Sequence, residues 1–432
     1  MKQLIFLELN EVSLECVNHY IALGKLSNWK FLIDNYGVTP TKSESSDSLL
    51  EPWIQWPTIR TGKEFSEHKI FYLGDQALSE IRQHWEILEE RGISVAAISP
   101  INGINNTTNS KLWIPDPWIR TAVSGSYFVN LIHKAIKQGV NNNSQNKIDL
   151  IYIFILVFAI LININSISAI QYIKLVFNYF FRGRRWVKAV ILDRLLADIF
   201  LKFCKIHQPK FITVFLNGAA HIQHHYFYNS TFHSGEIKNP EWYLSKKLDP
   251  ILDVLEMYDV ILGQVILQFK DSRIIICTGL SQLPCKEIIY YWRLKNHKNF
   301  FNEIGFEFSS IETRMSRDFT VICNSEDQAI KFSNKISKIT DVNGVLIFGK
   351  AERNKNRIYI TMTYEGLISD NFVLYIDGSV FKNFSEKVSF VAIKNGYHNG
   401  NGYIIDSGER STGPIQISSI FNRVLKHFLI KI

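Results

Sequence analysis

A threonine hydroxyl within residues 53–70, which read WIQWPTIRTGKEFSEHKI, has the surroundings of a nucleophile. Pro57 fixes the approach to Thr58, and Gly62 allows a tight turn just ahead of what the pattern predicts to be a helix. A hydroxyl near helix amides, which stabilise negative charge, can attack a phosphate or sulfate ester. Arg60 could hold the anionic substrate. Two ordinary roles stay open: Thr58 as a helix cap, and Arg60 as the partner of a surface carboxylate.

Two histidines that lie far apart in the chain, His221 and His398, are candidate metal ligands. His221 comes four residues after Asn217, whose amide oxygen could join it, and His398 lies in a glycine-rich segment. Divalent ions in hydrolases usually gain affinity from a carboxylate, so a site of this kind needs an acidic partner. Glu8, on the first predicted strand, or Glu11, at the end of that strand, could provide it. The alternative for either histidine is an ordinary side chain without a ligand.

The elements that must position these residues alternate between strand and helix, which is typical of an α/β protein with a mostly parallel sheet. Apolar runs predict strands at residues 4–9, 94–98, 211–216 and 273–277, and helices at residues 12–23, 81–91 and 250–269. Ligands bind outside the carboxyl ends of the strands in open α/β sheets. Asn10, Asn217 and Thr278, which follow three of these strands, are therefore predicted to meet in one crevice. Asn10 and Asn217 would form hydrogen bonds with a substrate there.

Two segments interrupt this alternation and divide the chain. Residues 124–208 are helical in pattern and form a predicted cap. Residues 317–366 read as strand, helix, strand and strand, with one of the strands at 344–348, and form a predicted small α/β insertion. The core is then discontinuous and comprises residues 1–123, 209–316 and 367–432.

The cap contains an apolar run at residues 150–162, and basic residues follow at 182–188. The run is shorter than the roughly 20 residues that a membrane-spanning helix needs, and the sequence after it is polar. A buried or interfacial helix is therefore predicted, with peripheral membrane contact left open. The basic residues fit a solvated helix face or a patch for phosphate or lipid headgroups.

The composition limits the class of protein and its partners. The chain has 432 residues, 46% of them hydrophobic and 20% charged, so it can bury a large core. The net charge of +8 favours anionic partners, but no zinc-finger spacing, aromatic RNA-binding motif or long basic run indicates nucleic acid. Five scattered cysteines, and an N-terminal apolar segment interrupted by Glu8 and Glu11, predict a cytoplasmic protein, with membrane association left open.

In chain order, these motifs resemble the alkaline phosphatase superfamily, in particular its nucleotide pyrophosphatase/phosphodiesterase branch. Residues 58–62, Thr-Ile-x-Thr-Gly, resemble the family's nucleophile segment. Residues 217–221 have the spacing of its Asp-x-x-x-His metal motif, and residues 396–400 resemble the late segment that carries the last metal ligand. The resemblance implies an alkaline-phosphatase-like core with the cap and the insertion added, Thr58 as the nucleophile, and His221 and His398 as metal ligands.

The sequence departs from the two-metal pattern of this family. Asn10 stands where the family has an early aspartate, and residues 277–282 lack the Asp-His pair of the second site. Asn217 replaces a further aspartate, which leaves His221 and His398 with Glu8 as an added carboxylate. We therefore expect one divalent ion, zinc or a similar metal, or none, with the second site lost. This expectation argues against a two-metal in-line displacement.

The leading hypothesis is a hydrolase or transferase that acts on a phosphate or sulfate ester through Thr58. Its substrate would be an anionic small molecule or a glycan or lipid ester. The alternative is a catalytically degenerate member of the family that binds an anionic glycan, a lipid intermediate or a protein partner in the same crevice. Bound metal would distinguish the two hypotheses most simply.

Overall fold

A computed structural model of the protein describes residues 2–44, 46–141, 148–313 and 317–430. The chain divides into two compact units. The first comprises Met1–Val140, Lys147–Cys285 and Asn395–Ile432, and the second includes Lys286–Lys394. The helices of the predicted cap belong to the first unit, and the segment predicted as a small insertion belongs to the second.

The helices and strands follow one another along both units. In chain order, the helices are α1 (Leu14–Ala22), α2 (Ser27–Tyr36), α3 (Pro52–Thr61), α4 (Phe65–His68), α5 (His84–Glu90), α6 (Tyr127–Asn141), α7 (Leu150–Asn163), α8 (Ser166–Arg182), α9 (Val187–His207), α10 (Gly218–Tyr226), α11 (Pro250–Gln268), α12 (His297–Glu303), α13 (Glu326–Ile336), α14 (Phe384–Lys387) and α15 (Ser419–His427). The strands are β1 (Leu4–Leu9), β2 (Thr39–Lys42), β3 (Val95–Ile98), β4 (Leu112–Ile114), β5 (Phe211–Leu216), β6 (Arg273–Cys277), β7 (Ser281–Leu294), β8 (Ser310–Thr313), β9 (Asp318–Ile322), β10 (Glu352–Asn354), β11 (Arg357–Thr361), β12 (Leu374–Ile376), β13 (Ser379–Phe381), β14 (Val388–Asn399), β15 (Asn401–Asp406) and β16 (Ile415–Gln416).

An eight-stranded sheet, counted over the described residues, forms the centre of the first unit in the order β16-β2-β15-β6-β1-β5-β3-β4. β1 pairs in parallel with β5 and β6, and β3 pairs in parallel with β5 and β4. β15 runs antiparallel to β6 and to β2, so β2 has the direction of β6. The sheet is therefore mostly parallel, and the predicted α/β fold class is confirmed.

β1 is buried along its whole length because both of its edges are paired and both of its faces are covered. Alternate residues enter two different cores. Ile5, Leu7 and Leu9 pack among residues of α1, α2, α9 and α11. Leu4 and Phe6 pack on the other face among residues of α3, α5 and α15. This double burial explains the continuous apolar run that predicted the strand.

The predicted position of Thr58 in a turn ahead of a helix is wrong, because Thr58 lies in the second half of α3. The helix begins at Pro52, where a missing N–H group costs no helical hydrogen bond. It ends at Gly62, whose φ of 70° is left-handed and whose N–H donates to the Thr58 carbonyl at 2.9 Å. Gly62 therefore marks the end of α3 and not a turn ahead of a helix. The Thr58 hydroxyl is accordingly remote from the amides at the N-terminus of α3.

Two further boundaries differ from the sequence prediction. The helix expected at 81–91 begins at His84, because Gln83 and Glu86 form a reciprocal cap that excludes the residues before it. The strand expected at 344–348 is absent from the described second unit, where these residues make only isolated bridges at Leu346 and Phe348. The sheet of that unit, β10-β11-β9-β8, is antiparallel and packs with α12 and α13.

His84 is a neutral histidine enclosed by an aromatic core. It is fully buried, its ring lies 4.8 Å from Trp85 and 5.0 Å from Phe211 between ring centroids, and neither ring nitrogen has a hydrogen-bond partner among the described residues. Burial, with a smaller effect of the Arg60 charge, holds the pKa of His84 well below its usual value. In the unfolded chain the same side chain takes up a proton near pH 6.5. His84 therefore reduces the stability of the fold as the pH falls below about 6.5.

We expect His84→Phe to make the fold less sensitive to acid. Between pH 7.5 and pH 5.0, the free energy of unfolding should fall by about 2 kcal/mol less in the variant than in the wild type. Urea unfolding at the two pH values measures the difference. Equal losses in the two proteins would show that His84 does not carry this pH dependence.

Candidate functional site

The carboxyl ends of β1, β5 and β6 meet, as the sequence predicted. The Asn10 side chain donates from Nδ2 to Oδ1 of Asn217 at 2.8 Å, which joins the end of β1 to the end of β5. The Glu11 N–H donates to the Thr278 carbonyl at 3.1 Å, which joins the end of β1 to the end of β6. The residues that directly follow these strands therefore lie together at one edge of the sheet.

Three potential metal ligands, Glu11, His224 and His398, lie together at this edge. The Nε2 atoms of His224 and His398 are 3.1 Å apart. Oε2 of Glu11 lies 3.2 Å from Nε2 of His224 and 3.3 Å from Nε2 of His398. The carboxylate is buried, whereas the two imidazoles are partly exposed. One carboxylate and two imidazoles thus face a common point with access from outside.

Glu11 is held in an unusual conformation and is surrounded by hydrogen-bond donors. Its φ is 58°, a left-handed value that is uncommon for residues other than glycine. Asn10 donates to its Oε1 at 2.9 Å, and Gln282 donates to its Oε2. Burial by itself would raise the pKa of the Glu11 carboxyl, but His398 and His224 outweigh it and bring the pKa well below the usual range. Glu11 is therefore a carboxylate, the form that binds a cation.

The orientation of His224 leaves one ring nitrogen directed at Glu11 and His398. Its Nδ1 lies 3.1 Å from the carbonyl oxygen of Gly396, an acceptor, so Nδ1 carries a proton. When a metal ion displaces any proton from Nε2, that nitrogen supplies the lone pair that a ligand requires. A Cβ atom at Gly396 would lie 2.2 Å from Oε1 of Gln282 and 3.0 Å from the Gln223 carbonyl. A larger residue at this position would therefore have to displace Gln282 and move β14 slightly away from α10.

The three ligand atoms have the spacing that a tetrahedral metal needs. A Zn²⁺ ion about 2.0–2.1 Å from each ligand places neighbouring ligand atoms about 3.3–3.4 Å apart. The three separations of 3.1, 3.2 and 3.3 Å are close to this value. Glu11, His224 and His398 therefore fit a divalent ion with nitrogen and oxygen ligands.

Asp193 of α9 holds α10, and with it His224, at the end of β5. Its Oδ2 accepts hydrogen bonds from the Gly218 N–H at 2.6 Å and the Tyr258 hydroxyl at 2.5 Å. A carboxylate at the first turn of α10 also complements the positive end of the helix dipole. Burial raises the pKa of Asp193 to about 6 although these donors oppose the rise.

The histidine that meets His398 is His224, not the predicted His221. His221 lies about one turn earlier on α10, and its ring packs against His225 with 4.5 Å between the centroids. Burial lowers the pKa of His221 to about 4, with a smaller effect of the nearby His224. The sequence did contain His224, but the four-residue spacing from Asn217 selected His221 instead. His221 as a ligand therefore stays a prediction that the cluster does not use.

Glu8, the other carboxylate considered from the sequence, is not part of the cluster. It is fully buried and forms an ion pair with Arg60, and its Oε1 accepts a hydrogen bond from Thr213 at 2.6 Å. Arg60 also donates to the Ile101 carbonyl and lies over the ring of Trp56. Both charges are thus neutralised inside the protein, so neither of them faces a ligand here.

Asn10, predicted to bind substrate, has its amide group engaged within the protein. Its Nδ2 donates to Glu11 and Asn217, and its Oδ1 accepts from Nε1 of Trp56 at 2.8 Å. The Asn217 oxygen is one of these acceptors. The two amides therefore hold the strand ends and the Glu11 carboxylate in place.

Thr58 takes part in a buried hydrogen-bond chain. Nδ1 of His68 accepts from the Ile70 N–H at 2.9 Å, so Nε2 carries the proton and donates to the Thr58 hydroxyl at 3.1 Å. The hydroxyl donates to the Ile54 carbonyl at 3.3 Å. Burial lowers the pKa of His68 to about 4, which keeps the ring neutral. In this arrangement His68 is a donor to Thr58 and does not act as its base.

A second hydroxyl, that of Ser43, lies at the same edge of the sheet and was not singled out from the sequence. Ser43 directly follows β2, whose carboxyl end lies at the same edge as that of β6. Its N–H donates to the Gly400 carbonyl at 2.8 Å, two residues from His398. Its hydroxyl donates to the Gly279 carbonyl at 3.1 Å, and the side chain is partly exposed. β2 reads Thr-Pro-Thr-Lys and has no alternation of apolar and polar residues, so the sequence pattern did not indicate this strand or the hydroxyl that follows it.

The chain matches no protein-family model and no curated protein sequence. Its fold is similar to that of solved structures. Phosphonoacetate hydrolase from Sinorhizobium meliloti 1021, in complex with phosphonoacetate, aligns over 98% of this chain and 95% of its own, with 11% identity and a TM-score of 0.47. Human ectonucleotide pyrophosphatase / phosphodiesterase 5 aligns over 100% and 96%, with 11% identity and a TM-score of 0.45. Alkaline phosphatase from the Antarctic bacterium TAB5 aligns over 100% and 98%, with 10% identity and a TM-score of 0.42.

Each of these alignments has at most 11% identity and a TM-score below 0.5. Chains with so little identity can differ in every functional residue. The functional residues of these proteins therefore cannot be transferred to this chain, and its chemistry must be inferred from its own side chains.

We expect the purified protein to bind one Zn²⁺ ion per chain. Glu11→Gln, His224→Ala and His398→Ala should each weaken binding at least about tenfold, because each removes one of three ligands. His221→Ala is the matched control, since it removes the same type of residue about one turn away on α10. Competition with a chromogenic chelator measures the affinity. If His221→Ala weakened binding as much as His224→Ala, the ligand would be the histidine predicted from the sequence.

Proposed function

We propose that the chain is a metal-dependent hydrolase or transferase that acts on a phosphate or sulfate ester. One divalent ion, zinc or a similar metal, would be held by Glu11, His224 and His398. The observation that carries the proposal is the convergence of this carboxylate and two imidazole nitrogens at the carboxyl edge of a mostly parallel sheet, where α/β proteins bind their ligands.

The composition of the cluster supports a catalytic ion over a purely structural one. Structural zinc sites are usually closed by four protein ligands, whereas catalytic sites have three and leave a position open. Here three ligand groups lie together, and the two histidines are partly exposed. An ion bound in this way would polarise an ester oxygen and stabilise the charge that develops on it. The substrate would therefore be an anionic ester that reaches the site from solvent.

Two hydroxyls are candidates for the nucleophile. Thr58 is the candidate from the sequence resemblance, but it is 1% exposed and its hydroxyl has partners inside the protein. Ser43 has a partly exposed side chain next to the loop that follows β6. A nucleophile must reach the substrate and lose its proton as the new bond forms. We therefore favour Ser43, and Thr58 remains the competing assignment.

A second candidate function is a binding protein without catalysis for an anionic glycan, a lipid intermediate or a protein partner. One observation favours it. Asn10 and Asn217, which replace aspartates of the resembled family, bond to each other at 2.8 Å and offer no carboxylate for a second ion. If the reaction needs two ions, the chain would bind its ligand without converting it.

We expect Ser43→Ala to lower the rate of ester cleavage at least about a hundredfold while metal binding stays the same, because removal of a nucleophile costs several orders of magnitude. Thr58→Val is the matched control, since it also removes a hydroxyl and valine has nearly the same size as threonine. It should keep the activity and lose about 1 kcal/mol of stability from broken hydrogen bonds. The substrates are the p-nitrophenyl esters of phosphate, both mono- and diester, and of sulfate.

The reverse result would identify Thr58 as the nucleophile: loss of activity in Thr58→Val and none in Ser43→Ala. A zinc-loaded wild type that cleaves none of these esters would favour the binding protein. Chelation followed by restored Zn²⁺ tests the ion independently of either hydroxyl, and activity that survives chelation would contradict the metal-dependent proposal.

A further inference from the structure

The exposed large apolar side chains described in the first unit are concentrated on α7 and α8. Fifteen large apolar residues of these two helices are exposed: Leu150, Ile151, Ile153, Phe154, Val157, Phe158, Leu161, Ile162, Ile167, Ile170, Ile173, Val176, Phe177, Phe180 and Phe181. We call this set the α7–α8 face. So many exposed large apolar side chains on neighbouring helices in the chain are unusual for a monomeric soluble protein and indicate an interaction site.

The two helices are anchored on one side only. On α8, Ser168, Tyr172 and Leu175 follow one another at helical spacing and are buried, and α8 packs against α9. Ile173 and Phe180 point the opposite way and are 71% and 72% exposed. α7 also packs against α9, with Ala159 as its one buried residue. The outward stripe is therefore apolar where a helix on a water-exposed surface would carry polar residues.

The charges on this segment are of one sign. Residues 150–192 contain no aspartate or glutamate, but they contain Lys174, Arg182, Arg184, Arg185 and Lys188. Lys174 and Arg184 pair with acidic residues of α11. Arg182 and Arg185 are exposed where α8 ends. An apolar helix face bordered by basic side chains is complementary to a membrane leaflet that contains anionic lipids.

The helices are too short to cross a bilayer. α7 has 14 residues and α8 has 17 residues, which at about 1.5 Å per residue is about 21 Å and about 26 Å, below the roughly 30 Å of a hydrocarbon core. Among the described residues, no helix combines the length and apolarity of a membrane span. Asn163 ends α7, and Asn165 caps α8 through hydrogen bonds to the amides of residues 167 and 168. The polar connection between α7 and α8 is therefore suited to the lipid headgroup region of a membrane.

We propose that the α7–α8 face docks the protein on a membrane leaflet containing anionic lipids. The two helices insert their exposed apolar side chains into the interfacial region without spanning the bilayer. Arg182 and Arg185 contact the headgroups. This inference is independent of the proposed catalysis, since it uses none of the residues at the sheet edge.

Vesicle flotation tests the proposal with the full chain. We expect the wild type to float with vesicles of phosphatidylcholine and about one third phosphatidylglycerol, and more weakly with phosphatidylcholine alone. A triple variant, Phe154→Gln, Ile173→Gln and Phe180→Gln, should lose binding at least about tenfold. Arg182→Gln with Arg185→Gln should remove the preference for anionic vesicles. Leu23→Gln with Trp242→Gln is the matched control, since these apolar residues are exposed elsewhere in the first unit.

A thiol label tests insertion directly. All five native cysteines are buried, so an environment-sensitive nitrobenzoxadiazole label should react with a new exposed cysteine. Phe180→Cys should show a blue-shifted, brighter emission when anionic vesicles are added, and Leu23→Cys should not. An unchanged Phe180→Cys signal, or a wild type that does not float, would overturn the proposal. So would a wild-type dimer that the triple variant dissociates, because a second copy of the chain would then cover the face.

Discussion

A carboxylate buried at the end of a central strand must be neutralised by its neighbours, and the arrangement around Glu11 follows from this requirement. Asn10 and Gln282 donate hydrogen bonds to it, and His224 and His398 approach it from α10 and β14. Four separate parts of the chain must therefore come together at one carboxyl group. A buried charge without partners would destabilise the fold, so the sheet edge, α10 and β14 are held together at one site.

The two glutamates near the end of β1 illustrate how position selects function. Glu8 lies within the sheet, where Arg60 supplies a permanent cation and Thr213 a hydroxyl donor. Glu11 lies beyond the last strand residue, where the neighbouring bases are imidazoles. A guanidinium stays charged and cannot bind a metal, whereas a neutral imidazole can. Glu11 therefore lies among side chains that are able to bind a metal ion, whereas Glu8 does not.

The long helix α9 connects the site with the apolar face through two of its sides. Asp193 projects toward the end of β5 and holds the first turn of α10. Other residues of α9 support α7 and α8. Twelve of the twenty-one residues of α9 are buried, so the helix can support neighbours on more than one side.

The sequence by itself determined the parallel centre of the sheet and the convergence of its strand ends, because β1, β5 and β6 are apolar runs buried on both faces. It could not decide which histidine of α10 meets His398. That choice depends on the rotation of α10, which Asp193 and the close approach of Gly396 set across distant parts of the chain. The sequence prediction also placed Thr58 in a turn. A proline followed by a glycine is compatible with a turn, but also with a helix that contains the proline and ends at the glycine, as α3 does. Only tertiary contacts decide which of two such conformations a local sequence adopts.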